Sequence, residues 1–288
     1  MTPIFTFTSI RSRLAPLIRP ILERCPPVRF VAVGILKMKQ SGRLRRCGLE
    51  FTLPCGDFGV TLEAESTGSY EPLTTSTIES ILTEGMTFVD IGAHVGLFSL
   101  PALHWVGTSG IVISFEPHPD NYVMLLENAS RNQLDDRLIA VQSAVSDTNE
   151  IVKLHTSTFN TGDHQLFHVG GRNTNQVKCT TLDDYFPAGT QVDVIKMDVQ
   201  GAESAAFIGM KRVLEDNLKI QVIWELSPSQ LEDSGSSASE VMYWLADLGF
   251  SFSTIDETNR CVQSMSLEEI LHTCSHDSFV NILSSRDE

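Results

Sequence analysis

The hydrophobic residues between 87 and 120 fall into two short apolar runs, separated by a glycine-containing turn and a helical stretch. The first run reaches Asp90 and leads into Gly92 and Gly96, and the second ends at Glu116. Short apolar runs of this kind, joined through glycine and a helix, are typical of parallel strands in an α/β sheet. Because the carboxyl ends of such strands meet at one edge, the pattern predicts a nucleotide-type pocket there.

The residue types at this edge suit a ligand that lies against the backbone. Glycine lacks a Cβ and adopts positive φ, so Gly92 and Gly96 permit a tight turn and a close approach. The N–H groups at the start of the following helix can donate to polar ligand groups. Glu116 lies 20 residues after Gly96, and its carboxylate can accept hydrogen bonds from two ribose hydroxyls. An ordinary glycine turn and an exposed Glu at a strand end would give the same sequence pattern without any ligand. The two features together favour a binding pocket.

The chain before this stretch predicts a smaller unit. Residues 49–64 alternate loosely and contain glycine turns, which is typical of a hairpin. One of the polar residues 75–77 can cap a helix that runs to Leu82. The chain is therefore divided into a basic extension at 1–47, a small β and helical cap at 48–84 and a main domain at 85–288.

After Glu116, helical and strand-like stretches alternate to the end of the chain. Helices are predicted from Asp120, from Val199 through Leu214, and in a segment closed by Gly249. Further strands are predicted at 138–142, 192–197, 220–226, 250–255 and 278–283. The polar residues 160–164 are assigned to a loop. Strands separated by helices, then a final strand pair, predict a doubly wound, Rossmann-like α/β sheet with an antiparallel carboxyl-terminal hairpin.

Charge is distributed unevenly along the 288 residues. The whole chain has 21 Lys and Arg against 36 Asp and Glu, and residues 1–47 hold ten of the basic residues and only Glu23 of the acidic ones. Subtraction leaves 11 basic and 35 acidic residues from position 48 onward, so the extension carries +9 and the body −24. An acidic body argues against a nucleic-acid partner, because phosphate binding needs clustered cations.

The first 22 residues contain no acid and mix arginines with apolar side chains. This composition is shared by membrane-surface helices, by some transit peptides and by plain packed leaders, and the sequence leaves these readings open. The longest apolar candidate, 30–36, is far shorter than the ~18 residues that span a bilayer. We expect a cytoplasmic protein, either free or in weak contact with a membrane surface through residues 1–47.

The six cysteines lie far apart and form no CxxC pair. Isolated cysteines fit free thiols in a reducing compartment better than a disulfide framework. The histidines show no spacing of the kind that binds zinc. The sequence therefore predicts neither a disulfide-stabilised domain nor a zinc site.

Six runs in order resemble the FkbM-type branch of the S-adenosylmethionine-dependent methyltransferases: VDIGAHVGLFSL, SFEPHPDNYVMLLENASRN, NTGDHQL, TLDDYF, DVIKMDVQGAE and WELSP. Together they cover about residues 70–226, whereas residues 1–47 fall outside the resemblance. One such run would say little, but six in the family's order are specific.

The resemblance implies a seven-stranded methyltransferase sheet with S-adenosylmethionine across the strand ends. By matching position, the implied donor-binding residues are Asp90, Gly92, Ala93, His94, Gly96, Glu116, Pro117, Ser143 and Ala144. Within this set Glu116 would hold the ribose, and Ser143 or Ala144 would lie near the adenine.

Two positions depart from the family pattern. His94 stands where general methyltransferases prefer a third glycine and where this family often has Asn, so its ring either enters the pocket or braces the turn. Gln200 stands in VQGAE where many relatives have VEGAE, so an essential acid is not expected there.

Methyl transfer from a sulfonium needs alignment of the reactants and removal of the acceptor's proton. The candidate catalytic residues are Asp198, at the end of the fourth strand, Glu225, at the end of the fifth, and His164 on the polar loop. Each has a structural alternative, since strand-end acids also cap helices and His164 can simply order its loop. Converging carboxylates could instead hold Mg²⁺, which prefers oxygen ligands, and no metal ligand is assigned.

The function predicted on this basis is O-methylation of a hydroxyl on a small molecule, a glycan or a lipid-linked acceptor. A nicotinamide-dependent oxidoreductase is the alternative enzyme class, but GAHVG lacks the GxGxxG pattern and KMDVQGAE has no role in it. A noncatalytic or membrane-peripheral binding protein that keeps the fold is the third reading.

Overall fold

The computed structural model describes residues 25–286 of the chain. Its elements are, in chain order, α1 (Pro26–Lys39), β1 (Arg43–Arg46), β2 (Leu49–Thr52), α2 (Val60–Thr67), α3 (Pro72–Ile81), β3 (Thr87–Ile91), α4 (Ser99–Trp105), β4 (Ile111–Phe115), α5 (Pro119–Arg131), β5 (Leu138–Val141), β6 (Ala144–Val145), β7 (Ile151–Thr156), β8 (Asn173–Thr180), α6 (Leu182–Tyr185), β9 (Val194–Met197), α7 (Glu203–Ile208), α8 (Lys211–Asp216), β10 (Gln221–Leu226), α9 (Pro228–Asp233), α10 (Ala238–Asp247), β11 (Ser251–Asp256), β12 (Cys261–Ser264), α11 (Leu267–Thr273) and β13 (Val280–Ser285).

One large twisted sheet organises the molecule, with strands in the order β12-β11-β13-β10-β9-β3-β4-β5. The strands from β10 to β5 are parallel, whereas β13, β11 and β12 pair antiparallel. The doubly wound sheet with its antiparallel carboxyl-terminal pair is thus confirmed. β12 adds an eighth strand at the edge, beyond the seven that were expected.

The sheet is apolar on both faces, as a sheet covered by helices must be. In β3 Val89 and Ile91 face a core that also contains Trp224, while Phe88 faces a second core built on α4 and the amino-terminal hairpin. All three β3 side chains are fully buried. Because β3 is packed on both faces, its carboxyl end is held in a fixed position beside those of its neighbours β4 and β9.

The predicted hairpin at 49–64 is wrong in its position. β1 and β2 form the hairpin, which starts at Arg43 and not at Leu49 and turns at Cys47 and Gly48, which both have positive φ. Residues 60–67 form helix α2 instead of the second strand. The turn was missed because only one of its two left-handed residues is a glycine.

The helix before β3 begins at Pro72, upstream of the predicted cap at 75–77. Glu257, in the turn between β11 and β12, accepts the N–H groups of Leu73 at 3.0 Å and Thr74 at 2.7 Å. A carboxylate from a distant segment thus satisfies N–H groups that a local side chain would otherwise cap. The start of α3 therefore depends on a contact that spans 184 residues.

Two further differences affect the region around β9. The predicted helix from Val199 through Leu214 is two short helices, α7 and α8, separated at Gly209. A Cβ on that glycine would lie 1.9 Å from the carbonyl oxygen of Ser146, so the chain passes too closely for a continuous helix with a side chain there. In addition β8 was not predicted, and it joins β6 and β7 in a small three-stranded sheet.

The predicted membrane-surface residues 1–22 lie outside the described residues, and only the later part of the basic extension can be placed. It contains α1 and β1, and β1 pairs with β2 of the predicted cap. Within 25–286, no helix has the length and apolar character needed to cross a membrane.

Candidate active site

A cavity lies at the carboxyl ends of β3, β4 and β9, at the edge where the sequence predicts the pocket. Nine of the twelve predicted site residues line it, namely Gly92, Ala93, His94, Glu116, Pro117, Ser143, Ala144, His164 and Asp198. Asp90, Gly96 and Glu225 do not belong to its wall. The segment at 57–70, which contains α2, and the loop at 157–166 form the side of the cavity opposite the sheet.

The turn after β3 is tied to the neighbouring strand through its backbone. The N–H groups of Gly92 and Ala93 both donate to the carbonyl of Phe115, at 2.9 and 3.0 Å. Gly92 has φ of 79°, and a Cβ there would lie 2.0 Å from the carbonyl oxygen of Asp198. Glycine is required at 92 because the end of β9 passes against it, which brings Asp198 to the edge of the cavity.

Gly96 has a different role from the one predicted. Its φ is 90°, and an added Cβ would meet Leu125 of α5 at 2.6 Å. The residue therefore permits close packing of the turn against α5, behind the cavity wall.

Asp90 is buried behind the turn. Its Oδ2 accepts a 2.5 Å hydrogen bond from the Ser99 hydroxyl, which itself accepts one from Ser114 at 2.8 Å. Burial raises the pKa of the Asp90 carboxyl. Asp90 thus links β3, β4 and α4, and holds the turn from beneath.

Glu116 faces the cavity in a fixed orientation. Its Oε2 accepts the backbone N–H of His94 and its Oε1 that of His118, both at 2.8 Å. Burial raises its pKa to about 7. Each oxygen keeps a further lone pair, because a carboxylate oxygen can accept more than one hydrogen bond.

His94 adopts φ of 51°, which is uncommon for a residue with a side chain. Its Nε2 lies 3.0 Å from the Thr161 hydroxyl on the opposite loop. Its Nδ1 is buried and has no hydrogen-bond partner in the described structure. Burial lowers the pKa of the ring to about 4, so the imidazole is neutral at pH 7. The side chain enters the pocket and braces the turn at the same time.

His164 is held in the wall by its own loop. The Ser157 N–H donates to its Nδ1 at 3.2 Å, and the His118 ring lies against it at a centroid distance of 4.3 Å. Its Nε2 is buried and without a partner among residues 25–286. Burial lowers its pKa to about 3, so His164 too is neutral at pH 7.

The acidic residues behind β9 are joined by Gln200. Its amide Nε2 donates to Asp198 at 2.6 Å and lies 3.4 Å from Glu225, while its Oε1 accepts from Gln230 at 3.1 Å. Burial raises the pKa of Glu225 well above its usual value. An amide donor suits this position because a third carboxylate would repel the other two.

The sequence reasoning missed two residues of the cavity wall, Lys196 and Tyr70. Lys196 lies 3.6 Å from Asp198 and 4.8 Å from the centre of the Phe98 ring. Burial alone would lower the pKa of Lys196, but the surrounding carboxylates together raise it. A Lys within an otherwise apolar strand was the signal for it. Tyr70, edge-on to Phe98 at 6.2 Å, had no such signal.

Among residues 25–286, no group of three or more His, Cys, Asp or Glu side chains is arranged to hold a metal ion. All six cysteines lie in that range and are free.

A doubly wound sheet with a glycine turn after its central strand and a buried Glu at the end of the next defines a Rossmann-like, nucleotide-binding type of site. The family model for the methyltransferase FkbM domain matches residues 90–252, more than half of the chain, and the chain belongs to this family. As a member of this family it is a methyltransferase that uses S-adenosylmethionine as its donor. No curated protein matches the sequence significantly.

Solved structures similar to this chain include three methyltransferases. They are a SAM-dependent methyltransferase from Aquifex aeolicus (13% identity, covering 74% of this chain and 88% of that chain, TM-score 0.41), a precorrin-6y C5,15-methyltransferase from Geobacter metallireducens (13%, 74% and 86%, TM-score 0.40) and TrmK from M. capricolum bound to S-adenosylhomocysteine (8%, 74% and 67%, TM-score 0.42). These likenesses concern the fold alone.

The cavity wall fits the donor in the features that the structure shows. Glu116 is anchored by two backbone N–H groups and retains acceptor capacity toward the cavity for ribose hydroxyls. Ser143 and Ala144, after β5, complete the same wall. The donor-binding set implied by the resemblance is thus assembled around one cavity, apart from Asp90 and Gly96, which support it from behind.

Proposed function

We propose that the protein methylates a hydroxyl oxygen of a small-molecule, glycan or lipid-linked acceptor. The observation that carries this proposal is the pair of His rings in the cavity wall, His94 on the turn after β3 and His164 on the loop facing it, which burial keeps uncharged at pH 7. A hydroxyl enters such a wall without desolvating a charge, whereas an amine acceptor would first have to lose its proton.

The donor, when bound, supplies a methyl group carried on a positively charged sulfur. Glu116 holds the ribose hydroxyls, and Ser143 or Ala144 borders the adenine. Asp198 lines the cavity and would orient the reactants, since its own position is fixed by Gln200 at 2.6 Å and Lys196 at 3.6 Å. Glu225 acts as a positioning residue for this group through Gln200.

Donor binding is tested by calorimetry on the full chain with S-adenosylmethionine. Binding should be strong in the wild type and lost in Glu116→Ala, while Glu127→Ala on the exposed face of α5 should bind normally. The absence of wild-type binding at millimolar donor would overturn the assignment of the cavity.

Oxygen as the methyl acceptor is tested by incubating the protein and donor with a polar metabolite extract. The product should gain the mass of one CH₂ group, and fragmentation should place it on an oxygen. A product methylated on nitrogen or carbon contradicts the proposal even if donor binding is normal.

We further propose that helix α1 contacts an anionic lipid surface on the cytoplasmic side. Four apolar side chains recur at helical spacing along one exposed stripe: Val28 (45% exposed), Val31 (60%), Ile35 (43%) and Met38 (82%). Lys37 and Lys39 border the stripe, and α1 contains no acid. Apolar side chains flanked by lysines match the chemistry of a negatively charged membrane surface.

Vesicle sedimentation of the full chain tests this contact. The protein should sediment with vesicles that contain phosphatidylserine and much less with pure phosphatidylcholine. The double variant Val31→Glu, Met38→Glu should stay in the supernatant, whereas Leu218→Glu, an equally exposed apolar residue elsewhere, should behave as wild type. Equal sedimentation of wild type and double variant would overturn the proposal.

A further inference from the structure

His94, Thr161 and Asp57 form a hydrogen-bonded chain whose directions can be assigned. Asp57 accepts the Thr161 N–H at 2.6 Å and the Thr161 hydroxyl at 3.1 Å, and its other oxygen accepts the Thr61 N–H at 2.6 Å. With its proton given to Asp57, the Thr161 oxygen acts as the acceptor for His94 Nε2–H at 3.0 Å. Since a neutral imidazole carries one proton, His94 Nδ1 must hold a free lone pair.

The opposite assignment follows for His164. The backbone N–H of Ser157 donates to Nδ1 at 3.2 Å, so this nitrogen is the unprotonated one. The single proton of the neutral ring therefore resides on Nε2, which acts only as a donor. This excludes His164 as the proton acceptor that the sequence suggested, unless the buried ring becomes a cation.

The two rings thus present complementary, unused groups to one cavity. His94 Nδ1 is an acceptor and His164 Nε2–H is a donor, and both atoms are buried without a partner in the described part of the chain. An unpaired buried polar group is unfavourable, so a ligand group that pairs with both nitrogens is favoured at this position. A hydroxyl satisfies both groups, whereas an ammonium can only donate and a carbonyl can only accept.

We propose that His94 and His164 form the subsite that binds the acceptor hydroxyl, and that His94 Nδ1 receives its proton. This inference rests on the proposed function. The O–H bond breaks, and the oxygen shares an electron pair with the methyl carbon as the carbon–sulfur bond breaks and its pair stays on sulfur. The proton passes to Nδ1, and the resulting imidazolium later releases it to solvent.

The low basicity of the buried His94 ring is compatible with this role. Its pKa is about 4, which is far above that of a protonated ether oxygen. The proton therefore transfers late, after the new carbon–oxygen bond has begun to form and has made the hydroxyl strongly acidic. His164 meanwhile donates to the same oxygen and fixes its direction.

The tautomers provide a test that does not need turnover. Long-range ¹H–¹⁵N spectra of the labelled full chain at neutral pH should show both rings neutral, with the proton on Nε2. Thr161→Val should remove the preference of the His94 proton for Nε2 and should leave the His164 tautomer unchanged. A His94 ring protonated on Nδ1 in the wild type would overturn the assignment.

A second measurement separates this subsite from donor binding, using His94→Asn and His164→Gln with tritium-labelled donor and a polar metabolite extract. Turnover should fall about 100-fold in His94→Asn, the scale of a lost proton acceptor, with donor affinity unchanged within about threefold. Asn tolerates the left-handed backbone at this position. His104→Asn on an exposed face of α4 should match the wild type.

The outcomes distinguish the possible failures. A parallel loss of donor affinity in His94→Asn would assign the ring to the donor and overturn the subsite. Unchanged turnover in both variants would also overturn it. If wild-type protein binds no donor, the proposed function itself fails, whereas the tautomer spectra still report on the ring geometry.

Discussion

The two sides of the cavity are constructed in different ways. The donor side is joined by backbone groups at the ends of adjacent strands, where the N–H groups of Gly92 and Ala93 reach Phe115 and those of His94 and His118 reach Glu116. The other side, which is proposed to bind the acceptor hydroxyl and is called the hydroxyl side below, joins distant segments. Asp57 and Thr161 are separated by 104 residues, and Thr161 and His94 by 67.

The contacts on the donor side therefore come with the common sheet, whereas the contacts on the hydroxyl side come from loops of this particular chain. The donor side follows from parallel strand pairing together with a glycine at 92 and an acid at 116, all within or next to adjacent strands. The hydroxyl side depends on two loops that contact each other, with the Phe58 N–H donating to the Phe159 carbonyl at 2.6 Å. Under the proposed function, substrate specificity would depend on these loops, while donor binding depends on the residues at the ends of the sheet strands.

The largest effect is expected where the donor turn meets β9. Gly92→Ala places a Cβ 2.0 Å from a backbone carbonyl at positive φ, and should lower the free energy of unfolding by about 3–5 kcal/mol. Gly48→Ala, with φ of 77° and nothing within 4 Å, should cost only about 1–2 kcal/mol. Chemical denaturation of both variants measures the difference. Equal losses of unfolding free energy would show that the backbone at Asp198 can move away from the added Cβ at little cost.

Gln200→Glu should have the next largest effect, because it brings a third carboxylate against Asp198 and Glu225. The expected loss of unfolding free energy is about 2 kcal/mol at neutral pH. It should shrink at acid pH, where the new carboxyl is protonated and donates again. Gln263→Glu on the exposed edge strand β12 is the matched control, and a similar loss there would assign the effect to charge alone.

Thr161→Val removes the hydroxyl that links the two sides while keeping the shape of the side chain. His94 Nε2 and Asp57 each lose a partner, so the free energy of unfolding should fall by about 1–2 kcal/mol. Thr161→Ser retains the hydroxyl and should lose distinctly less. Thermal unfolding of the pair measures this, and equal losses would mean that the methyl group matters more than the hydrogen bonds.

The smallest effect concerns pH and the donor side alone. Since the pKa of Glu116 is about 7 and ribose hydroxyls donate best to the ionised form, donor affinity should rise about tenfold from pH 6 to pH 8. Glu116→Gln should flatten this dependence. Calorimetry across this range measures it, and a flat wild-type profile would contradict the raised pKa.

The contribution of Glu116 to the free energy of unfolding should change with pH in the opposite direction from donor affinity. The pKa of Glu116 is higher in the folded chain than its ordinary value of 4.5, so the folded state binds more protons in this window. The contribution of Glu116 to the free energy of unfolding therefore falls as pH rises from about 4.5 to about 7 and is constant above it.

The sequence predicts the parts of the molecule that depend on neighbours along the chain. The alternation of strands and helices, Gly92 and Glu116 follow from apolar runs and the residues that end them. Asp90 was placed correctly on β3, but its side chain points toward Ser99 and away from the cavity wall. Strand periodicity predicts which residues lie at the edge of a sheet and does not predict which of them a buried serine will bind.

The missed features depend on contacts between distant segments. Asp57 and Thr161 have no pattern that predicts their pairing, and the start of α3 is set by Glu257 from the other end of the chain. The departure at His94 was visible in the sequence, but its tautomer follows only from the partner of each ring nitrogen.

Asp57 lies 33 residues before the region matched by the family model, which begins at residue 90. A shortened chain that retains only the matched region would keep Glu116 and the donor turn but lose the carboxylate that sets the His94 tautomer through Thr161. Such a fragment would also begin within β3 and lack β13, which pairs with β10 in the middle of the large sheet, so the matched region does not contain the whole sheet either. For this protein, the boundary of the family match does not coincide with the boundary of the working enzyme.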